Sequence, residues 1–315
     1  MMTSVQNPLP GTGAGAWLGR PRLKRALRSF NFFLYIVPAL ALFFVFVLYP
    51  IFYIVQASLL EWNGISQGHF VGLDNYVRLF TKDRSFMLAL RNSVYWIFLT
   101  ISPQMFIGFA LALMLNTDVW GRNIYRAIFY LPAIVSPVVI GIIWRRIYNP
   151  FGGFLSDLGQ ATGLTFLSQP YLADPRMAIF ASIAVNVWQW TGWSMLLYLA
   201  GLQGISQEML DAGDVDGVNG WQRIRYLIWP LLTHVHSTLI LLGVIGALQT
   251  FALIFIMTKG GPNHATEMLP TYIFQQAFEM QAMGYASAVA VVLLVVALVL
   301  SVILVRFFGA RFALS

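Results

Sequence analysis

Between Met177 and Gly201, and again between Thr233 and Met257, the chain carries no Asp, Glu, Lys or Arg. Runs this long and apolar suit a helix crossing the hydrocarbon core of a bilayer, where every backbone N–H and C=O must find its partner within the segment. Four more stretches read the same way over most of their length: Asn31–Leu59, Asn92–Leu115, Ala127–Tyr148 and Tyr285–Val305. With 58% hydrophobic residues, 10% charged residues and a mean hydropathy of +0.72, a soluble globular domain is excluded. The expected fold is all-α, a polytopic membrane protein with six transmembrane helices. Residues 30–315 form the membrane domain and residues 1–29 a basic cytoplasmic tail.

Charge placement orients the spans. Arg20, Arg22, Lys24, Arg25 and Arg28 stand just before the first span, a positive-inside cluster rather than a nucleic-acid arm. No small-residue cleavage site follows a short apolar core, so the segment reads as a retained helix. With the N-terminus in the cytoplasm, eleven Lys/Arg (20, 22, 24, 25, 28, 122, 126, 223, 225, 306, 311) fall inside and eight (78, 82, 84, 91, 145, 146, 176, 259) outside. Both termini are then cytoplasmic.

The same orientation puts a polar island, Glu208–Leu232, on the cytoplasmic side. Glu208, Asp211 and Asp214 fall three apart, along one face of a short helix, with Ser206 as its N-cap. Asp216-Gly217 breaks that helix, and an amphipathic run from Trp221 to Pro230 leads to the next span. The reading is a helix-turn-helix finger with a glycine elbow. Asp211-Ala212-Gly213, Asp216-Gly217, Trp221, Ile228 and Pro230, with the lead-in Ala200–Ile205, resemble the EAA coupling loop of ABC importer permeases. The loop spans residues 202–232. Asp211 stands where that family usually has Glu, and Gly213 where it has Ala; the glycine weakens the helix by about 1 kcal/mol.

Further stretches strengthen the resemblance. Phe70–Phe80, FVGLDNYVRLF, is similar to the extracytoplasmic segment after the first helix in sugar-type permeases. Its own periodicity supports a helix on the outer surface. The connections 149–175 and 259–281 look like the family's outer loops, with short helices near Leu155–Leu158 and at Thr271–Phe278. The resemblance implies a type I importer permease in the bacterial inner membrane. It also implies three protein partners: a second permease subunit in a heterodimer, a dimeric ATP-binding subunit, and an extracytoplasmic solute-binding protein. Glu208, Asp211, Ala212, Gly213, Asp216 and Gly217 would then couple to the ATPase.

The chain offers no catalytic or metal-binding set of its own. It has no Cys, and its four His make no metal set; His234 and His236 read as interfacial polar residues. No G-x-x-x-x-G-K-[ST] loop is present, since Lys259-Gly260-Gly261 runs in the wrong order. ATP and Mg are therefore expected on the partner ATPase, and no cofactor in this chain. A proton- or sodium-coupled carrier is disfavoured because the middles of the spans lack ionisable residues.

Substrate contact is expected in the fourth span. Asn186, Gln189, Trp190 and Trp193 lie at i, i+3, i+4 and i+7 and share one face, with Gln249 in the fifth span as a weaker second group. Flat indole faces and amides that both donate and accept suit a neutral sugar. Packing of Trp, Asn and Gln between helices is the alternative. Without Lys or Arg in either span, a neutral mono-, di- or oligosaccharide fits better than a glycerol-phosphate or other polyol substrate.

Overall fold

The computed structural model describes residues 35–312. The basic cluster at Arg20–Arg28 lies outside them, so the charge count that orients the spans has no structural counterpart there. By contact the chain divides into two units, at Tyr53 and Ile54. The first holds most of α1 (Tyr35–Ala57), an apolar helix long enough to cross a membrane.

In the second unit, a two-stranded hairpin (β1 Leu60–Glu61, β2 His69–Phe70) precedes a short helix, α2 (Asp74–Thr81), so the FVGLDNYVRLF run is part strand and part helix. Next, α3 (Arg84–Leu115) begins a full two turns before the charge-free stretch at Asn92. Asp83 caps it, accepting from the Phe86 N–H at 2.9 Å. The remaining elements are α4 (Arg122–Ile134), α5 (Pro137–Ile147), α6 (Phe154–Thr162), a 3-10 turn (Thr165–Ser168), α7 (Ala178–Gln203), α8 (Gln207–Val215), α9 (Gly220–Leu231), α10 (Thr233–Leu248), α11 (Ala252–Met257), α12 (Leu269–Phe274) with a π-helical continuation (Gln275–Glu279), and α13 (Met283–Phe312).

Two of the expected spans are not single helices. Ala127–Tyr148 splits into α4 and α5, which meet at 97°. Pro137 lacks an N–H and disfavours helical backbone at Ser136, whose ψ is 136°. Ser136 then caps α5 through the Val138 N–H. Thr233–Met257 likewise stops at Leu248 and resumes at Ala252. Among the described residues, three helices (α1, α3, α13) are long and apolar enough to cross a membrane, and up to five spans result if the bent pairs α4 with α5 (97°) and α9 with α10 (63°) each count as one. The fourth expected span, α7, is continuous, but its amides and indoles interrupt its apolarity.

The core forms where α3, α7 and α10 run against one another, around Trp96, Met105, Phe109, Met195, Tyr198 and Leu239. Close approach is set by small residues, as between membrane helices generally. A Cβ on Gly108 of α3 would lie 2.9 Å from the Met195 nitrogen of α7. One on Gly192 of α7 would run into the Phe129 carbonyl of α4. A smaller cluster, Leu79, Phe86, Leu269, Tyr272, Tyr285 and Val289, joins α2, α3, α12 and α13.

Candidate functional site

The two broken spans meet. Their ends, with α3, α7 and α10, enclose a cavity of about 470 Å³, within the usual range for a small-molecule site. All five residues singled out for substrate line it: Asn186, Gln189, Trp190 and Trp193 from α7, and Gln249 from the end of α10. So do Pro137, Thr250 and Phe251 from the breaks themselves, and Trp96, Thr100 and Gln104 from α3. Not one lining residue is charged. The wall is therefore apolar surface carrying amides and hydroxyls, with indoles from two helices.

Each polar group has a defined setting. Gln104 donates from Nε2 to Asn186 Oδ1 at 3.0 Å, tying α3 to α7 across the cavity. Thr100 and Thr250 spend their hydroxyls on carbonyls four residues back. Gln189, fully buried, donates from Nε2 to the Val135 carbonyl at the α4–α5 break, 3.1 Å away. Trp193 stacks on Tyr130 of α4, ring centres 6.4 Å apart. Gln104 and Trp96 had not been assigned to the site. A lone Gln in a charge-free span was the available clue, but its pairing with Asn186 depends on how two helices far apart in sequence meet.

At one end of the bundle, α8 and α9 form the finger. Gly217 takes a left-handed turn at φ 73°, with open space where a side chain would project, which favours glycine there. Asn219 and Gln222 then cap α9 reciprocally at 2.9 Å. Asp214 pairs with Arg223 at 3.0 Å and Asp211 accepts from Gln207, while Glu208, Ala212 and Asp216 are exposed. Gly213, by contrast, is buried: a Cβ there would press on Leu227 and sit 3.2 Å from Val218. The glycine that weakens α8 thus lets the two helices of the finger close. Ser206 stands at the N-cap in extended backbone but makes no capping hydrogen bond, contrary to expectation. Val215 and Trp221 are 88% and 72% exposed, an apolar edge beside the acids.

The finger is wired into the bundle. Trp229 packs on Phe109 and Phe106 of α3, ring centres 5.0 and 6.0 Å away. His236 of α10 bridges the Trp229 carbonyl at 3.0 Å and the buried Tyr198 hydroxyl of α7 at 2.8 Å. His236 is therefore an internal strut, not the interfacial residue its position in sequence suggested.

Broken apolar helices around an uncharged polar cavity, with a polar finger beyond the membrane helices, define a permease: a machine that moves a solute without making or breaking its bonds. The chain belongs to the family of binding-protein-dependent transport system inner membrane components, whose model matches residues 104–313. It is 37% identical to a probable ABC transporter permease protein, YurN, of Bacillus subtilis over 88% of this chain and 95% of that one. It is 30% identical to the multiple sugar-binding transport system permease protein MsmF of Streptococcus mutans, over 90% and 97%. Its fold matches the solved bacterial ABC transporter that imports the acidic polysaccharide alginate, with a TM-score of 0.78 and 22% identity over 92% of this chain and 99% of that chain. The chain is thus the inner-membrane permease subunit of an ABC importer, and ATP hydrolysis resides on separate subunits.

Proposed function

We propose that the chain imports a neutral sugar by alternating access, and that the cavity at the two helix breaks is where the sugar passes. The observation that carries this reading is the cavity's lining. Trp190 and Trp193 offer flat faces for C–H patches, with Trp96 buried behind the wall, and Asn186, Gln104 and Gln249 offer amides for hydroxyls, with no charge among them. A phosphate or carboxylate would call for an Arg or Lys there. MsmF is named for multiple sugars and AmyD of Thermoanaerobacterium thermosulfurigenes for starch degradation products, which supports the same class.

Work reaches the cavity through the finger. An ATPase dimer that grips Glu208, Asp211, Ala212, Asp216 and Gly217, with Gly213 buried inside the finger rather than offered to the partner, would pull on Trp229 and, through His236 and Tyr198, on the helix that carries Asn186 and Gln189. ATP and Mg would sit on that partner. A second permease subunit completes the pathway, and an extracytoplasmic binding protein delivers the solute, as in the alginate importer solved with its solute-loaded periplasmic protein. Both termini and the finger lie in the cytoplasm. The test is uptake by the reconstituted importer: Asn186→Ala with Trp193→Ala should raise the KM for sugar at least tenfold while ATPase activity persists. Unchanged kinetics would remove the cavity from the transport path.

A further inference from the structure

Gln189 is the most constrained residue of the cavity wall. Its side chain is fully buried, and while Nε2 is engaged, Oε1 has no hydrogen-bond partner. The orientation of the amide is dictated by chemistry. The atom facing the Val135 carbonyl must be a donor, so it is the nitrogen, and the atom left over must be the acceptor. Such an orphaned acceptor is rare in a folded protein and calls for an explanation.

Val135 supplies the other half. It sits in extended backbone between α4 and α5, and Pro137 prevents the helix from continuing through it. Its carbonyl is thus freed by the break, and Gln189 alone among the described side chains takes it up. Three residues along α7, Gly192 lies against the backbone of Phe129 and Tyr130. One stretch of α7 therefore both grips α4 and clamps the break.

We propose that Gln189 is a conformation-dependent acceptor that links solute recognition to the α4–α5 hinge. In the packing described here Oε1 is sealed and unpaired. When the hinge opens, Oε1 is uncovered and accepts a hydroxyl of the solute. The solute then binds the opened packing better than the closed one, and this differential affinity is what allows it to shift the equilibrium. The inference rests on the sugar reading, and it adds a chemical requirement: the solute must present a hydroxyl donor at this point of the wall.

The test uses the whole reconstituted importer, with glucose, maltose and raffinose as probes. Gln189→Met keeps the length and bulk of the side chain and removes both polar atoms. For whichever probe is transported, Gln189→Met should raise KM about tenfold, the worth of one hydrogen bond at the upper end of its range. It should also speed hydrogen exchange at the amides of Val135 and Val138–Ile140. Removing single hydroxyls from that sugar should cost the wild type about tenfold at one position and cost Gln189→Met nothing further there. If Gln189→Met fails to assemble, Gln189→Asn, one methylene too short to span both partners, serves for the same comparison. Wild-type KM together with unchanged exchange would overturn the proposal while leaving the sugar reading intact. If the wild type moves none of the three sugars, the sugar reading falls, and the exchange measurement alone decides the clamp: faster exchange upholds it and unchanged exchange overturns it.

Discussion

Asp83 shows how one side chain can tie together elements distant in sequence. It caps α3 through the Phe86 N–H and accepts from the hydroxyls of Tyr272 of α12 and Tyr285 of α13. Burial pushes its carboxyl up, but the two tyrosines and the backbone N–H groups of Phe86 and Ser85 outweigh it and hold the group below its ordinary 3.8. With the folded value depressed, the stabilisation is complete above 3.8 and is lost as pH falls through the lower folded value. Thermal unfolding of the solubilised importer should therefore show an acid-side loss that Asp83→Asn flattens. The variant should also begin about 1 kcal/mol less stable at neutral pH, as for a lost cap; a wild-type acid profile in the variant would contradict this. At this scale the helical spacing of Asn186, Gln189, Trp190 and Trp193 was legible, because side chains at i, i+3, i+4 and i+7 share a face whatever lies opposite. Their partners Gln104, Trp96 and Val135 were not, since those contacts exist only once α3 and α4 are in place. His236 misled for the same reason: its place near the end of an apolar run says nothing of Tyr198 and Trp229 closing over it.

The helices were legible as apolar runs, and their breaks were not. Pro132 and Pro137 both lie in the third stretch, yet α4 continues through Pro132 and the 97° turn falls at Ser136-Pro137. Hydropathy reports that a stretch is apolar but not which way it runs; here the direction is held from outside, by Gln189 and by the contact at Gly192. Gly192→Val should therefore damage the crossing of α7 and α4, lowering stability by about 1–3 kcal/mol, as overpacking does. The melting temperature of the solubilised protein checks this, and an unchanged value would mean the two helices can part freely. The finger behaves differently, because among the described residues nothing lies within 4 Å of where a Gly217 side chain would begin. Gly217→Val should leave membrane insertion and the bundle intact, straining only the left-handed turn by about 1–2 kcal/mol, yet abolish ATP-dependent uptake. Normal uptake in that variant would detach the elbow from coupling.

Across the molecule, the proposed coupling makes the finger, the aromatic strut and the cavity one mechanical line. It runs from exposed acids at Glu208 and Asp216, through Trp229, His236 and Tyr198, to Asn186 and Gln189 on the same helix as Tyr198. The membrane class was readable from composition and charge-free runs, the finger from the spacing of its acids and the Asp216-Gly217 break, and the family resemblance from the finger together with Phe70–Phe80. The meeting of two broken spans at one cavity required the fold. That line transmits work only if the finger is cytoplasmic and touches a nucleotide-hydrolysing partner. The chain contains no cysteine, so one introduced by Asp216→Cys reports on its own position without background. In cells expressing the whole importer, this cysteine should resist a membrane-impermeant maleimide added outside, react with it in inverted vesicles, and cross-link to the ATPase subunit. Labelling from outside in intact cells, with no cross-link to the ATPase, would contradict the account.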